Sequence, residues 1–471
     1  MGVTRPRGGL GERGVGRARR SGRCGWGAAV GALRPGAAHR GWAAPWYGAR
    51  MSDSQAIGGG LAPGQRPLPE FRLDNQGLLA FARQLAMTPS VSGSEGPAIE
   101  LAASRMRELG FDRVEVDDVG NCIGIIGTAG TGRTARWPRL LIDGHIDSIP
   151  LHSRELWTVD PFGGQVIDGR LYGLGACDQK SSIAAAVFGV AAARDLVGEL
   201  GGSVAVVASV NEEDLEGAAL KVATERFEPT FAVTSEPSDT RLCIGQRGRA
   251  KLAATVTGRP SHAGHARLGV NAAEALAALV VQVRGLPQPS HPRLGRRDIT
   301  CIDIASSPYP SACTVPGHAL ARFDARLLPG DTGTLVLKII EDAARQAWAS
   351  WDEQPGPELG VVVADAEFTT WAGQSFRAPE FQPAWWTDDT SPLVEAAKTA
   401  LASQGLDPTP THYSFCTNGS YLAAEAGVPT IGFGVGEGHI AHQPNEYVTI
   451  DSLQKGAMGF AAITALLLGA P

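Results

Sequence analysis

The sequence of 471 residues lacks several features that would each assign it to a class of protein. It contains no apolar run of about 18 residues or more, so we expect no membrane-spanning helix and no membrane partner. Its seven cysteines include no C-x-x-C pair, so the pattern indicates neither a disulfide framework nor a cysteine zinc site. A reducing compartment, the cytoplasm, fits this cysteine usage best.

Basic residues are scarce outside the N-terminus. Of the 42 basic and 48 acidic residues, positions 1–50 hold ten arginines and one acid, Glu12, which leaves 32 basic and 47 acidic residues for the rest. The body of the protein is therefore acidic, although the formal net charge is only −6. An acidic body disfavours nucleic acid and anionic membranes as partners.

Residues 1–68 differ in composition from the remainder. They are rich in Gly, Arg and Ala and show no apolar periodicity. We expect an extension that is disordered or over-annotated, because Met51 opens an ordinary-looking start. A targeting segment and an RNA-binding tail are the alternatives. A transit peptide would also be rich in serine, and only Ser21 precedes position 51.

Apolar runs of strand length alternate with helical periodicity from residue 75 onward, which predicts a mostly parallel α/β sheet. The strand-like runs cover residues 114–116, 122–126, 140–143, 204–210, 231–234 and 430–433. Helical patterns cover residues 75–110, where a second helix begins at Pro97, and residues 181–193, 392–404 and 457–470.

The pattern changes near Gly245. The next six elements are strand, helix, strand, strand, helix and strand, at residues 249–257, 271–283, 298–305, 318–328, 334–350 and 359–366. This β-α-β-β-α-β order is ferredoxin-like and predicts an inserted α+β domain. We therefore expect an extension at 1–68, a catalytic domain formed by 69–246 and 367–471, and an insert at 247–366.

Five segments carry acids and histidines, and four of them end a strand or open a helix. They cover residues 145–147, 173–180, 209–214, 234–237 and 439–446. Two imidazoles and three or four carboxylates suit Zn²⁺, Co²⁺ or Mn²⁺, and one more carboxylate must stay off the metals to move protons. Plain structural roles are the alternative: Asp178 could cap the following helix, and Glu212 and Glu213 could form a solvated helix start.

The order and local sequences of these segments resemble the di-zinc metallopeptidase and deacylase family that includes acetylornithine deacetylase, succinyl-diaminopimelate desuccinylase, aminoacylase and glutamate carboxypeptidase. The segments Asn211-Glu212-Glu213-Asp214 and Thr417-Asn418-Gly419-Ser420 are similar to a selenium-metabolism-linked hydrolase subgroup. The resemblance covers roughly residues 75–468. It implies a zinc-peptidase catalytic domain with an inserted lid or dimerisation domain.

The resemblance implies a role for each acid and histidine of the five segments. Two divalent metal ions, zinc or else cobalt or manganese, would be held by His145, Asp178, Glu213, Glu236 and His442, with Asp178 shared between them. Glu212 would be the general base, and Asp147 would hold the other nitrogen of His145. The peptide bond after the shared acid, Asp178–Gln179, would be cis.

The insert carries its own matches to the family. Residues 258–264 resemble a segment whose histidine, here His262, polarises the substrate carbonyl and often comes from the partner subunit. Asn271 and Arg326 match residues that contact substrate, and a guanidinium suits a substrate carboxylate. A homodimer through the insert is therefore implied.

These observations predict a cytoplasmic metal-dependent amidohydrolase that cleaves a small N-acyl amino acid or peptide-like substrate, with metal-activated water and Glu212 as the base. A dipeptidase or carboxypeptidase of the same family is the alternative among enzymes. A non-catalytic metal-binding relative is the alternative of another class, but it would be expected to lack Glu212 or a ligand. Asp214 and Glu216 are expected to be surface acids. Arg249 is expected either to face substrate or to lie at the surface or an interface.

Overall fold

In the computed structural model of the chain, residues 68, 70–127, 138–352 and 355–469 are described. The expected N-terminal extension, apart from residue 68, lies outside these ranges, as does residue 470 of the predicted C-terminal helix. Within the same ranges, no helix combines the length and apolar character that crossing a membrane requires.

A nine-stranded sheet forms the centre of the described structure. Its strands are Arg113–Val116, Cys122–Gly127, Arg139–His145, Ser203–Ser209, Phe231–Thr234, Cys243–Gln246, Trp385–Trp386, Thr411–Tyr413 and Thr430–Gly432. The four neighbouring strands at the centre run parallel to one another, and most outer pairings are antiparallel. The predicted parallel α/β sheet is thus confirmed for the centre, whereas the antiparallel edges were not predicted.

Both faces of the central sheet are covered. Every residue of Arg139–His145 is buried, as expected for a parallel strand packed on two sides. Leu140 and Ile142 belong to one apolar cluster and Leu141 to another, because successive side chains of a strand point to opposite faces. The carboxyl end of this strand therefore emerges from a buried apolar layer.

Nine α-helices lie within the described residues. They are Asn75–Met87, Gly96–Glu108, Ser181–Ala192, Arg194–Leu200, Leu220–Phe227, Ala272–Gly285, Gly333–Ala347, Pro392–Ser403 and Ile450–Leu468. Close packing of the helices Ser181–Ala192 and Ile450–Leu468 requires glycine at position 189, because a Cβ atom there would collide with the Ala457 carbonyl. The C-terminal helix predicted at 457–470 is confirmed but begins earlier, at Ile450, and most of its side chains are buried.

A second sheet has four of its five strands in the part of the chain predicted as the insert. Its strands are Gly248–Thr257, Asp298–Ser307, His318–Leu327, Glu358–Val363 and Phe381–Gln382, and all their pairings are antiparallel. One face packs on the helices Ala272–Gly285 and Gly333–Ala347 around an apolar cluster of its own. The ferredoxin-like order of elements is confirmed, but Phe381–Gln382 adds a strand that local pattern did not predict.

Three short strand pairs and one small three-stranded sheet lie outside the two large sheets in the described residues. They are Val166–Ile167 and Tyr447–Thr449 with Arg170–Tyr172, Ser261–His262 with Thr314–Val315, Ser290–His291 with Gly295–Arg296, and Asp365–Thr369 with Ser375–Pro379. The strand predicted at 359–366 is therefore two elements, because the chain leaves the second sheet after Val363 and forms a hairpin.

Candidate active site

His145 is the last residue of a buried central strand, so its imidazole lies at the carboxyl end of the sheet. Its Nε2 is 3.0 Å from Asp178 Oδ1, 3.8 Å from Glu236 Oε1 and 4.0 Å from Glu212 Oε2. Burial by itself lowers the pKa of His145, but the charge of Glu212 and two hydrogen-bonded carboxylates raise that pKa well above its usual value. Two predicted metal ligands and the predicted base therefore converge on one nitrogen.

Asp178 lies between two imidazoles. Its Oδ1 faces His145, and its Oδ2 lies 3.4 Å from Nε2 of His442. The same nitrogen of His442 is 3.0 Å from Glu213 Oε1. Burial alone would raise the pKa of Asp178, yet hydrogen bonds from the two histidines lower it. One carboxylate thus contacts both halves of the predicted site.

The turn that carries Asp178 is fixed by Glu446. The buried Glu446 accepts hydrogen bonds from the backbone N–H groups of Gly175, Cys177 and Asp178 at 3.2, 2.7 and 3.0 Å. The peptide bond between Asp178 and Gln179 is cis, as the resemblance implied. The orientation of Asp178 therefore depends on a residue four positions beyond His442.

Asp147 chiefly holds the loop that follows the strand Ser203–Ser209. Its Oδ1 accepts from the Glu212 N–H at 3.2 Å and its Oδ2 from the Glu213 N–H at 3.1 Å. The resemblance implied that Asp147 holds the second nitrogen of His145. That nitrogen, Nδ1, lies 3.1 Å from the backbone oxygen of Asp147 and 3.5 Å from its carboxylate. Asp147 thus fixes both the imidazole and the predicted base.

The buried acids of this site are crowded. The ligand atoms of His145, Glu212 and Glu236 lie within 4.8 Å of one another, as do those of His145, Asp178 and Glu213. Burial raises the pKa of Glu213, and raises the pKa values of Glu212 and Glu236 to well above the usual range. Glu236 Oε1 is buried without a hydrogen-bond partner in the described part of the chain. Imidazoles and carboxylates of this kind fit divalent cations, which would offset the repulsion.

A cavity of about 320 Å³ opens beside these side chains. It is lined by His145, Asp178, Glu212, Glu213, Glu216, Glu236, Arg249, Arg326, Phe415, Cys416, Gly438, Ala441 and His442. The expectation that Glu216 is a surface acid is wrong: its side chain is 8% exposed and pairs with Arg249 at 2.8 Å. Arg326 lies in the same cavity and contacts Asp324 at 2.9 Å.

Two residues singled out in the insert lie elsewhere. His262 is exposed, and its Nδ1 accepts a hydrogen bond from the Gly264 N–H at 3.0 Å. Asn271 caps the helix Ala272–Gly285, accepting from two of its N–H groups, and lines a separate cavity. Of the three insert residues with predicted roles, the structure brings only Arg326 to the cavity at His145.

Sequence reasoning missed several buried groups that support the site. Asp143 accepts a hydrogen bond from Asn418 Nδ2 at 2.9 Å, and burial raises the pKa of Asp143 to about 6. In the sequence, the segment Thr417–Ser420 carries only a resemblance, and Glu446 is only the last residue of a motif. Nothing in the sequence indicates that Glu95 supports the site, because a lone acid before a helix resembles any capping residue.

The chain is similar to known proteins over most of the described residues. The sequence model of Peptidase family M20/M25/M40 matches residues 141–465. The uncharacterized protein YgeY of Escherichia coli strain K12 is 29% identical over 391 residues, which cover 81% of this chain and 92% of that protein. A succinyl-diaminopimelate desuccinylase of Cereibacter sphaeroides is 28% identical over 394 residues, covering 80% of this chain and 95% of the relative.

A solved structure gives the corresponding likeness in fold. The YXEP protein of Bacillus subtilis, described as a dinuclear metal-binding peptidase from the M20 family, superposes with a TM-score of 0.62. The match covers 84% of this chain and 99% of that chain at 15% sequence identity. At 15% sequence identity, this likeness supports a shared fold and no more.

Proposed function

Because the chain belongs to Peptidase family M20/M25/M40, and is therefore a metal-dependent hydrolase of amide bonds, we propose that it is a two-metal deacylase of small N-acyl amino acids. The observation that carries the proposal is the position of Asp178, whose two oxygens face His145 and His442 while Glu212 lies beside the same cavity. A carboxylate with this double contact suits a shared ligand of two cations.

The proposed metal ligands fall into two sets that share Asp178. His145 and Glu236 would complete one set, and Glu213 and His442 the other. When bound, the two cations supply Lewis-acid polarisation of a carbonyl and lower the pKa of water. Zinc is the metal we propose, because imidazole and carboxylate donors suit it, and cobalt or manganese fits the same donors.

Glu212 is the proposed proton carrier. It would accept a proton from the attacking water and deliver it to the nitrogen of the leaving amine. Burial raises its pKa, which suits a group that must hold the proton between these two transfers. Asp147 contributes by holding the Glu212 N–H, so that the carboxylate meets the substrate in one orientation.

Two arginines support an acidic substrate. Arg249 and Arg326 line the same cavity as the proposed metal ligands. Each pairs with an acid, but the Arg326 side chain is 40% exposed against 21% for Arg249, so Arg326 is the guanidinium more open to a ligand. We therefore propose that Arg326 binds the substrate carboxylate. A peptidase acting on dipeptides is the second candidate, favoured by the fold shared with a peptidase. The succinyl-diaminopimelate desuccinylase is 28% identical to this chain, against 15% for that peptidase, and this difference favours the deacylase.

A homodimer through residues 247–366 is the proposed assembly, with these residues as a lid or dimerisation domain inserted between 69–246 and 367–471. The strand Asp298–Ser307 lies at an edge of the second sheet and exposes Ile302 and Ile304 by 55% and 53%. Exposed apolar edges favour pairing with another chain. His262 of a second copy could then reach the cavity. A monomeric mass by light scattering at micromolar concentration would refute this assembly.

One experiment separates the candidates. The zinc-loaded protein would be assayed against N-acetyl, N-succinyl and N-carbamoyl amino acids and against dipeptides, with Arg326→Met and the exposed Arg322→Met of the same strand as matched variants. We expect highest kcat/KM on an N-acyl amino acid, and a KM raised roughly tenfold to hundredfold by Arg326→Met alone. Preference for dipeptides would select the peptidase, and no hydrolysis by the loaded protein would select a non-catalytic relative. We propose a cytoplasmic location, which a fractionation of cells would test.

A further inference from the structure

Four successive backbone N–H groups in the loop that carries Glu212 donate to side-chain oxygens rather than to other backbone. Val210 N–H donates to Asn121 Oδ1 at 3.1 Å and Asn211 N–H to Glu95 Oε1 at 3.0 Å. The next two N–H groups, as described above, both donate to Asp147. The three acceptor residues come from three other segments, so these four N–H groups are held from outside the loop.

The Asn211 position is the point where this loop changes direction. Asn211 has φ = 54°, in the left-handed region that asparagine tolerates better than most residues. It directly precedes the proposed base Glu212 and the proposed ligand Glu213. A shift of its peptide plane would therefore move both carboxylates together.

Glu95 is placed to fix that peptide plane. Its side chain is fully buried, and its Oε2 has no hydrogen-bond partner in the described part of the chain. Besides the Asn211 N–H, the backbone N–H groups of Gly93 and of Glu95 itself face the carboxylate and lower its pKa. Burial, with the nearby charge of Asp147, raises the pKa of Glu95 to about 7. An acid buried next to another acid is costly to retain unless its hydrogen bonds hold neighbouring backbone in place.

We propose that Glu95 is a positioning residue of the hydrolytic reaction, acting through the Asn211 N–H to orient Glu212 and Glu213. This inference rests on the proposed function for the identity of the base. What Glu95 supplies is an acceptor oxygen at one place, so a neutral amide of the same shape serves as well as the carboxylic acid. Glu95 does not line the cavity at His145.

The test compares three substitutions of Glu95 with a matched control. Glu95→Gln retains the acceptor and the shape, Glu95→Met retains the volume without a comparable acceptor, and Glu95→Asp shortens the reach. Glu100→Met, at an exposed position of the helix that follows Glu95, is the control. Each protein is measured for hydrogen exchange of the 210–213 amides, for zinc affinity by competition titration, and for kcat and KM.

In Glu95→Met we expect about tenfold faster exchange at the loop, zinc affinity of the Glu213 site lowered ~10- to 100-fold, and kcat lowered by a similar factor. KM should stay within about threefold, as for a group that acts on the reacting geometry. Glu95→Gln and Glu100→Met should match the unsubstituted protein. If Glu95→Met does not fold, Glu95→Asp should show the same losses.

Two results would overturn the proposal. One is a folded Glu95→Met protein with normal exchange, metal affinity and kcat. The other is a Glu95→Gln protein as impaired as Glu95→Met, which would assign importance to the charge rather than the acceptor. If the unsubstituted protein hydrolyses no amide, the proposed function fails, yet exchange and zinc affinity still decide the role of Glu95.

Discussion

Glu446 holds Asp178 by its backbone: the Asp178 N–H donates to Glu446 Oε1 at 3.0 Å, and the Cys177 N–H donates to the same oxygen at 2.7 Å. The shared ligand of the proposed metal pair is thus oriented by an acid 268 residues further along the chain. Burial raises the pKa of Glu446 to about 7. Its oxygens can accept hydrogen bonds from the backbone N–H groups in either protonation state.

Replacing Glu446 should therefore impair both halves of the site at once. In Glu446→Ala, buried N–H groups lose their acceptor, which should lower the free energy of unfolding by at least ~2 kcal/mol. Binding of both metals should also weaken, because Asp178 loses its orientation. Urea unfolding and zinc titration measure the two effects. Glu437→Ala, at an exposed acid of the neighbouring loop, should change neither, and normal affinity at both sites in Glu446→Ala would refute the account.

Removal of the metals should abolish activity reversibly. Chelation should inactivate the protein, and Zn²⁺, Co²⁺ or Mn²⁺ should restore it. Asp178→Ala should lower occupancy of both sites, whereas His442→Ala should chiefly empty one. His439→Ala is the matched control, since its ring is 72% exposed and pairs with Glu437. Full activity after exhaustive chelation, with no metal detected by elemental analysis, would contradict the proposal.

Metal binding should release protons at neutral pH. In the metal-free protein, hydrogen bonds with Asp178 and then Glu213 raise the pKa of His442 from 6.5 to about 10. The proton on His442 therefore stabilises the metal-free fold fully below pH 6.5, and this contribution is lost as pH rises through about 10. A cation must displace that proton, so apparent affinity should rise with pH across this window.

Calorimetric titration with Zn²⁺ in two buffers of different ionisation enthalpy counts the protons released. We expect a total release of at least about one proton at pH 8, of which His442 supplies about one, and a correspondingly smaller release in His442→Ala. Release unchanged by that substitution would show that His442 is not displaced by metal.

The elements that carry the site were predictable because their signals are local. The apolar run ending at His145 and the acid pair Glu212-Glu213 each sit where a strand stops, and periodicity alone identifies those strands. The same reasoning identified the ferredoxin-like order of elements. It could not identify the antiparallel edges of the central sheet, since pairing between distant strands leaves no local pattern.

The supporting groups were not predictable for a related reason. Glu95 and Asn211 are 116 residues apart, and nothing in either neighbourhood of the sequence indicates the other. Glu216 was expected at the surface because its own segment is polar, but Arg249 of the second sheet covers it. Both cases depend on packing between segments rather than on the composition of one.

The most direct test of the proposed mechanism is the turnover of Glu212→Gln with both metals bound. The variant should retain two metals per chain by elemental analysis, because Glu212 is proposed as a base and not as a ligand. Its kcat should fall by at least ~10²-fold, the lower range for a positioned acid–base group. Glu225→Gln, at an exposed acid, should turn over normally. Near-normal kcat in fully loaded Glu212→Gln would contradict the account.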